Sequence, residues 1–304
     1  MLLRLVIFLY IAGCWVPVLG QNNSPEVVDL LHQPIRVSPV KNVLWEISGP
    51  RLSRPSYLYG ILYKVPADAF FLVPGLDVVV KEVDRLVMEV HPVQMDKDHL
   101  YRGTVPIDST LEELLTKREY ATLQTFVRDS LSAVSLYKLM GRYQPALLSW
   151  QFMCDYCLGY SEANPPINYE QYLYQVTKLP VTPLTNGWAR EAWLEAYSFG
   201  EQTNMLMNTL AHKRRLCLNY HDLLREYWKQ DLEMVWLLSK NIPEFGSNTS
   251  TLIEARNADW LERLPGLMER EQLLIAVHAV QLPGEYGLIH LLKKAGYQLH
   301  PVLR

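Results

Sequence analysis

Gln272-Leu273-Leu274-Ile275-Ala276-Val277-His278-Ala279-Val280 is a nearly unbroken apolar run late in the chain, of a length that suits a strand buried on both faces. Residues 285–295 then carry helical spacing and close on Gly296, and residues 297–303 read as a final strand. The opening of the chain supplies matching strand material. Residues 43–47 and 56–63 are short aromatic and β-branched runs separated by Gly49-Pro50 and Pro55, which predicts a hairpin. A helical span at 76–83 and a compact strand at 85–90, stopped by His91-Pro92, follow. Strand, helix, strand implies a crossover onto one sheet.

Helices fill the middle. Residues 107–177 show long helical periodicity, with Thr110 and Glu113 spaced as a capping box ahead of Leu114 and Leu115. Residues 179–184 are a brief extended piece, and 188–240 and 251–270 are helical again. The expected fold class is therefore α/β: a single domain over residues 43–304, with a central mixed sheet built from N- and C-terminal strands and a helical middle section as a cap.

The chain has 304 residues, 49% of them hydrophobic and 20% charged, which is globular composition and excludes disorder. Its net charge of -3 offers no basic footprint, so no nucleic-acid partner is expected. Residues 1–20 are a different kind of object. Arg4 precedes an apolar run at 5–15 that is too short to span a bilayer comfortably, which is the pattern of an export signal peptide. Val18-Leu19-Gly20 suits cleavage before Gln21, whereas Ile11-Ala12-Gly13-Cys14 resembles a lipobox and would place a lipid anchor on Cys14. The mature chain is expected to be periplasmic or extracellular, with no transmembrane helix and with 21–42 as a polar lead-in. Cys154, Cys157 and Cys217 remain after cleavage. Cys217 pairs with one of the other two, or Cys154 pairs with Cys157; spacing alone leaves this open.

Two distant segments, taken together, point to a family. Leu44-Trp45-Glu46-Ile47, Tyr57-Leu58-Tyr59-Gly60-Ile61-Leu62-Tyr63 and Leu86-Val87-Met88-Glu89-Val90 stand at one end. Arg256-Asn257, Trp260, and the run from Ala276 through His278, Gln281, Pro283, Gly284 and Gly287 stand at the other. In order and spacing this resembles the TraB/GumN family, which is related to the TIKI metalloproteases. The resemblance implies a metal site built from two Gly-x-x-His motifs and a nearby Glu, which would hold a divalent ion and activate a water. Here Tyr63 stands where the first His is expected and Gln281 replaces the second, while Pro183-Leu184-Thr185 replaces a Gly-Leu-Glu run. A protonated phenol and a carboxamide are poor ligands for zinc-like ions, so no cofactor is expected.

Glu89 lies in an apolar strand and needs a partner, for which Arg256 is the natural choice. Glu89, Arg256, Asn257, Tyr63 and Gln281 thus form an expected remnant pocket for a peptide, a protein or a small anionic ligand. The reading is a non-catalytic binding or envelope-interaction protein. The alternative is a metal-dependent hydrolase or peptidase in which Glu89, His91 and His278 are relocated ligands for zinc, manganese or cobalt.

Overall fold

In a computed structural model the described residues are 41–93, 110–130, 143–159, 165–185, 194, 197–240 and 249–303. The expected signal peptide, Cys14 and most of the lead-in lie outside them. Strand β1 (Leu44–Ser48) pairs antiparallel with β2 (Ser56–Ile61), as the hairpin reading requires, with Trp45 opposite Leu58. Every residue of β2 is buried, as is every residue of β7 (Leu273–His278). Two-sided burial explains why neither strand alternates in sequence, and it puts both at the centre of the sheet.

The remaining strands are β3 (Lys64–Val65), β4 (Arg85–Met88), β5 (Ile167–Asn168), β6 (Val181–Pro183) and β8 (Gln298–Pro301). The six-stranded sheet runs β6-β4-β7-β2-β1-β8, while β3 and β5 form a separate ribbon. β7 runs parallel to both β2 and β4 and separates them, so the crossover through helix α1 (Leu76–Glu82) returns to the same sheet but leaves a slot that the C-terminal segment fills. The alternating burial of β8 fits its place at one edge. The other edge, β6, is blunted where Pro183 lacks a donor and the Arg263 guanidinium takes the carbonyls of Pro183 and Leu184.

Several boundaries differ from expectation: the strand at 85–90 ends at Met88, that at 297–303 is Gln298–Pro301, β5 interrupts the helical stretch at 107–177, and three more have visible causes. The run at 56–63 stops being a strand at Ile61, because Gly60 lies against the Ala279 backbone and the chain turns away into β3; a Cβ there would sit 3.2 Å from Ala279 Cα. The run at 272–280 likewise gives way after His278 to a 3-10 turn, Ala279–Gln281. Helix α9 (Leu288–Lys294) starts later than residue 285, since Gly284 takes φ +84° and Gly287 presses on the Pro283 carbonyl.

Helices α2 (Leu111–Leu114), α3 (Lys117–Ser130), α4 (Pro145–Leu158), α5 (Tyr169–Thr177), α6 (Phe199–Trp228), α7 (Leu232–Ser239) and α8 (Thr249–Met268) complete the chain. The Thr110–Glu113 capping box is present. Leu111, Leu123, Phe126, Phe152, Leu206 and Leu210 form a second core, so the cap of α2, α3, α4 and α6 packs around apolar contacts of its own. α6 and α7 are separate helices because Gln230 adopts φ +58° and Asp231 then caps α7, its carboxylate accepting from Met234 N–H.

A disulfide between Cys157 and Cys217 ties α4 to α6 and closes a loop of 60 residues. Loop-closure entropy gives such a bridge about 4 kcal/mol. Urea unfolding with and without reductant, or of Cys217→Ser, is therefore expected to show a loss approaching that size; a loss below about 1 kcal/mol would mean that the helices hold their places without it.

Candidate functional site

The parallel strands β2, β4, β6 and β7 end on the same side of the sheet, and their C-terminal extensions converge there. In open α/β sheets this is where ligand sites are built. Tyr63 comes from the chain leaving β2, Glu89 follows β4, Thr185 follows β6, and His278 and Gln281 end β7.

Glu89 is the hub. It is 1% exposed, and its two carboxylate oxygens take different donors. The Tyr63 hydroxyl donates to Oε2 at 2.7 Å and the His278 backbone N–H to Oε1 at 2.8 Å. The Glu89 carbonyl accepts from Thr185 N–H at 2.9 Å and from its hydroxyl at 2.5 Å, so the position that departs from the family's Gly-Leu-Glu run still joins the site. The Tyr63 ring lies 4.5 Å, centroid to centroid, from the His278 imidazole. His278 Nδ1 accepts from Val280 N–H at 3.4 Å, capping the 3-10 turn.

Asn257, fully buried on α8, acts on this turn through its amide. Nδ2 donates to the carbonyls of Gln281 at 2.9 Å and Tyr286 at 2.7 Å. Arg256 stands beside it, half-buried. The expected partner of Glu89 is Arg256; the carboxylate also takes donors that were not foreseen, the Tyr63 hydroxyl and the His278 amide. Gln281 is 1% exposed, and neither its Oε1 nor Asn257 Oδ1 has a hydrogen-bond partner among the described residues.

Behind the site sits a buried trio of tyrosines. Tyr59 and Tyr227 each pack edge-on to Tyr169, and the Tyr227 hydroxyl donates to the Gly60 carbonyl at 2.9 Å. Burial drives the phenols of Tyr59 and Tyr227 far above the ordinary tyrosine range and pushes Tyr169 up to about 12. They are neutral packing groups at physiological pH, and the hydroxyls of Tyr169 and Tyr227 donate to the carbonyls of Phe71 and Gly60. Of the three alternating tyrosines at 57, 59 and 63, only Tyr63 reaches Glu89; the Tyr57 hydroxyl donates to Glu82 on α1.

The alternative ligand set of Glu89, His91 and His278 is not gathered. Among the described residues no three His, Cys, Asp or Glu side chains are grouped as a metal requires. His91 turns elsewhere: its Nδ1 accepts from Val93 N–H, and its ring packs against Tyr174 with centroids 5.7 Å apart. Nor do the motif positions fit a divalent ion. The Tyr63 phenol spends its proton on Glu89, and Gln281 offers a neutral carboxamide.

An α/β scaffold with a polar site at the carboxyl ends of its parallel strands, closed by a C-terminal strand inserted between two N-terminal ones, defines the class. The model of the TraB/PrgY/gumN family matches residues 43–301, and the chain belongs to that family. A search of curated proteins and one of solved structures find no match.

Removing the Tyr63 hydroxyl takes a donor from a buried carboxylate oxygen. Tyr63→Phe is expected to lower the free energy of unfolding by about 1 to 3 kcal/mol. Tyr57→Phe, whose hydroxyl meets the exposed Glu82, is expected to cost less. Denaturant titration of both variants reads the difference, and equal losses would deny Glu89 its special dependence on Tyr63.

Proposed function

We propose that this chain is an exported, non-catalytic member of its family that keeps the fold as a binding or envelope-interaction module. One observation carries the reading. Both positions where the family's motif histidines fall hold poor metal ligands, and at one of them the Tyr63 hydroxyl is committed to the carboxylate that a metal would use. A site that cannot hold the ion cannot generate the nucleophilic water. The pocket of Glu89, Tyr63, Gln281, Asn257 and Arg256 is then free to serve a peptide, a protein or a small anionic ligand.

Two features support export. The charged start and short apolar run at 1–15 have the form of a signal, with cleavage before Gln21 or lipidation at Cys14 as its outcomes. The Cys157–Cys217 bridge suits an oxidising compartment. Among the described residues no helix is long and apolar enough to cross a membrane.

The competing reading is a hydrolase with zinc, manganese or cobalt on relocated ligands; it draws on the closeness of Glu89 to the His278 backbone. Metal analysis of the purified mature protein after dialysis separates the two. A metal-free, folded wild type is expected, together with a gain of zinc affinity when Tyr63→His and Gln281→His are combined. Stoichiometric metal in the wild type that disappears in Glu89→Ala and His278→Ala would overturn the proposal.

A further inference from the structure

His91, which the site above does not use, lines a cleft of about 500 Å³ on the outer side of the sheet. Tyr174, Gln175 and Lys178 from the end of α5, and Leu179 and Val181 from the approach to β6, complete its main walls. Among the described residues that line it, the polar side chains are a histidine, a lysine, a tyrosine and a glutamine, with no Asp or Glu.

Three details give this cleft a direction. The first is the tautomer of His91. Because Nδ1 accepts the Val93 N–H, the ring hydrogen of the neutral imidazole is on Nε2, which makes that nitrogen a donor. The second is Lys178, which caps α5 with φ 55° and ψ 18°, a left-handed conformation that favours Gly or Asn. Its backbone role, the N–H bond to the Tyr174 carbonyl, needs no side chain. A lysine in a left-handed cap, beside a cleft whose described lining holds no Asp or Glu, gives that wall a positive charge suited to an anion. The third is the strand edge. Leu86 N–H bonds to the Pro180 carbonyl and Leu184 N–H to the Met88 carbonyl, so alternate residues face β4 and the N–H and C=O of Val181 turn to the open side. Pro183, the next residue facing outward, has no N–H, and its carbonyl is held by Arg263.

We infer that this cleft binds the C-terminal carboxylate of an extended peptide. Lys178 and His91 Nε2 meet the carboxylate, Val181 pairs with one residue of the peptide main chain, and Leu179 and the Tyr174 ring receive its last side chain. The block at Pro183 limits strand addition to that one residue, so the charge contacts supply specificity. The site goes beyond the Glu89 pocket and stands whether or not that pocket holds a metal, since its residues do not touch the motif positions.

The test uses the full mature protein with N-acetyl-Ala-Ala-Leu as the free acid, its C-terminal amide, and inorganic phosphate. Saturation-transfer NMR at about 1 mM peptide, the weak end of specific binding, is expected to detect the acid and not the amide. Lys178→Gly is expected to weaken the acid at least tenfold while keeping or raising the melting temperature, because glycine relieves the backbone. His91→Ala is expected to weaken it as well. Equal binding of acid and amide, no transfer from the acid, binding that survives both substitutions, or displacement by phosphate at the same concentration as the peptide would each overturn the assignment.

Discussion

The carboxylate of Glu89 holds this architecture together at the point where its parts come from opposite ends of the chain. An almost fully buried charge is costly unless its oxygens are hydrogen-bonded. Here one oxygen is held by the Tyr63 hydroxyl beyond β2 and the other by the backbone of His278, 189 residues away at the end of β7. Three adjacent strands are thereby tied where they stop. Asp84 does the same at the other end of β4: its carboxylate accepts from Gln272 N–H just before β7, and its N–H donates to the Gln272 carbonyl. That backbone donor, with Arg54, keeps the Asp84 carboxyl below the usual carboxylate range. Carboxylates at both ends of the β4–β7 pair fix the register of a parallel contact that closes a very long loop.

Seen this way, the residues at the rim of the site sort into two kinds. Gly60 is needed because the 3-10 turn after β7 leaves no room for a side chain, Asn257 because it holds the carbonyls of Gln281 and Tyr286, and Tyr227 because it satisfies the Gly60 carbonyl. All three shape the rim of the site. At positions 63 and 281, where the resemblance leads one to expect histidines, stand Tyr63 and Gln281, and the Tyr63 hydroxyl is a structural donor to Glu89.

Much of the fold was legible in the residues. The continuous apolar run at 273–278 announces two-sided burial, the aromatic run at 56–61 announces a hairpin strand, and the Thr110–Glu113 pair announces a helix start. The insertion of β7 between β2 and β4 was not, because periodicity carries no information on strand order. The same limit hid one donor to Glu89: Tyr63 reaches it where the chain leaves the sheet at Ile61, beside a close contact between Gly60 and a segment more than 200 residues later. Three cysteines left the disulfide open, and the packing of α4 on α6 chose Cys157 with Cys217. The cleft beside His91 was hidden for a similar reason, since α5 and β6 meet the end of β4 only in the folded chain.

The central claim is that Tyr63 and Glu89 act as one unit. A double-mutant cycle in urea unfolding, combining Tyr63→Phe with Glu89→Ala, measures this directly. The account predicts that the two losses fail to add, with a coupling of about 1 to 2 kcal/mol, because removing either partner already removes the bond. Additive losses, within about 0.5 kcal/mol, would show that the hydroxyl and the carboxylate are independent and would contradict the account.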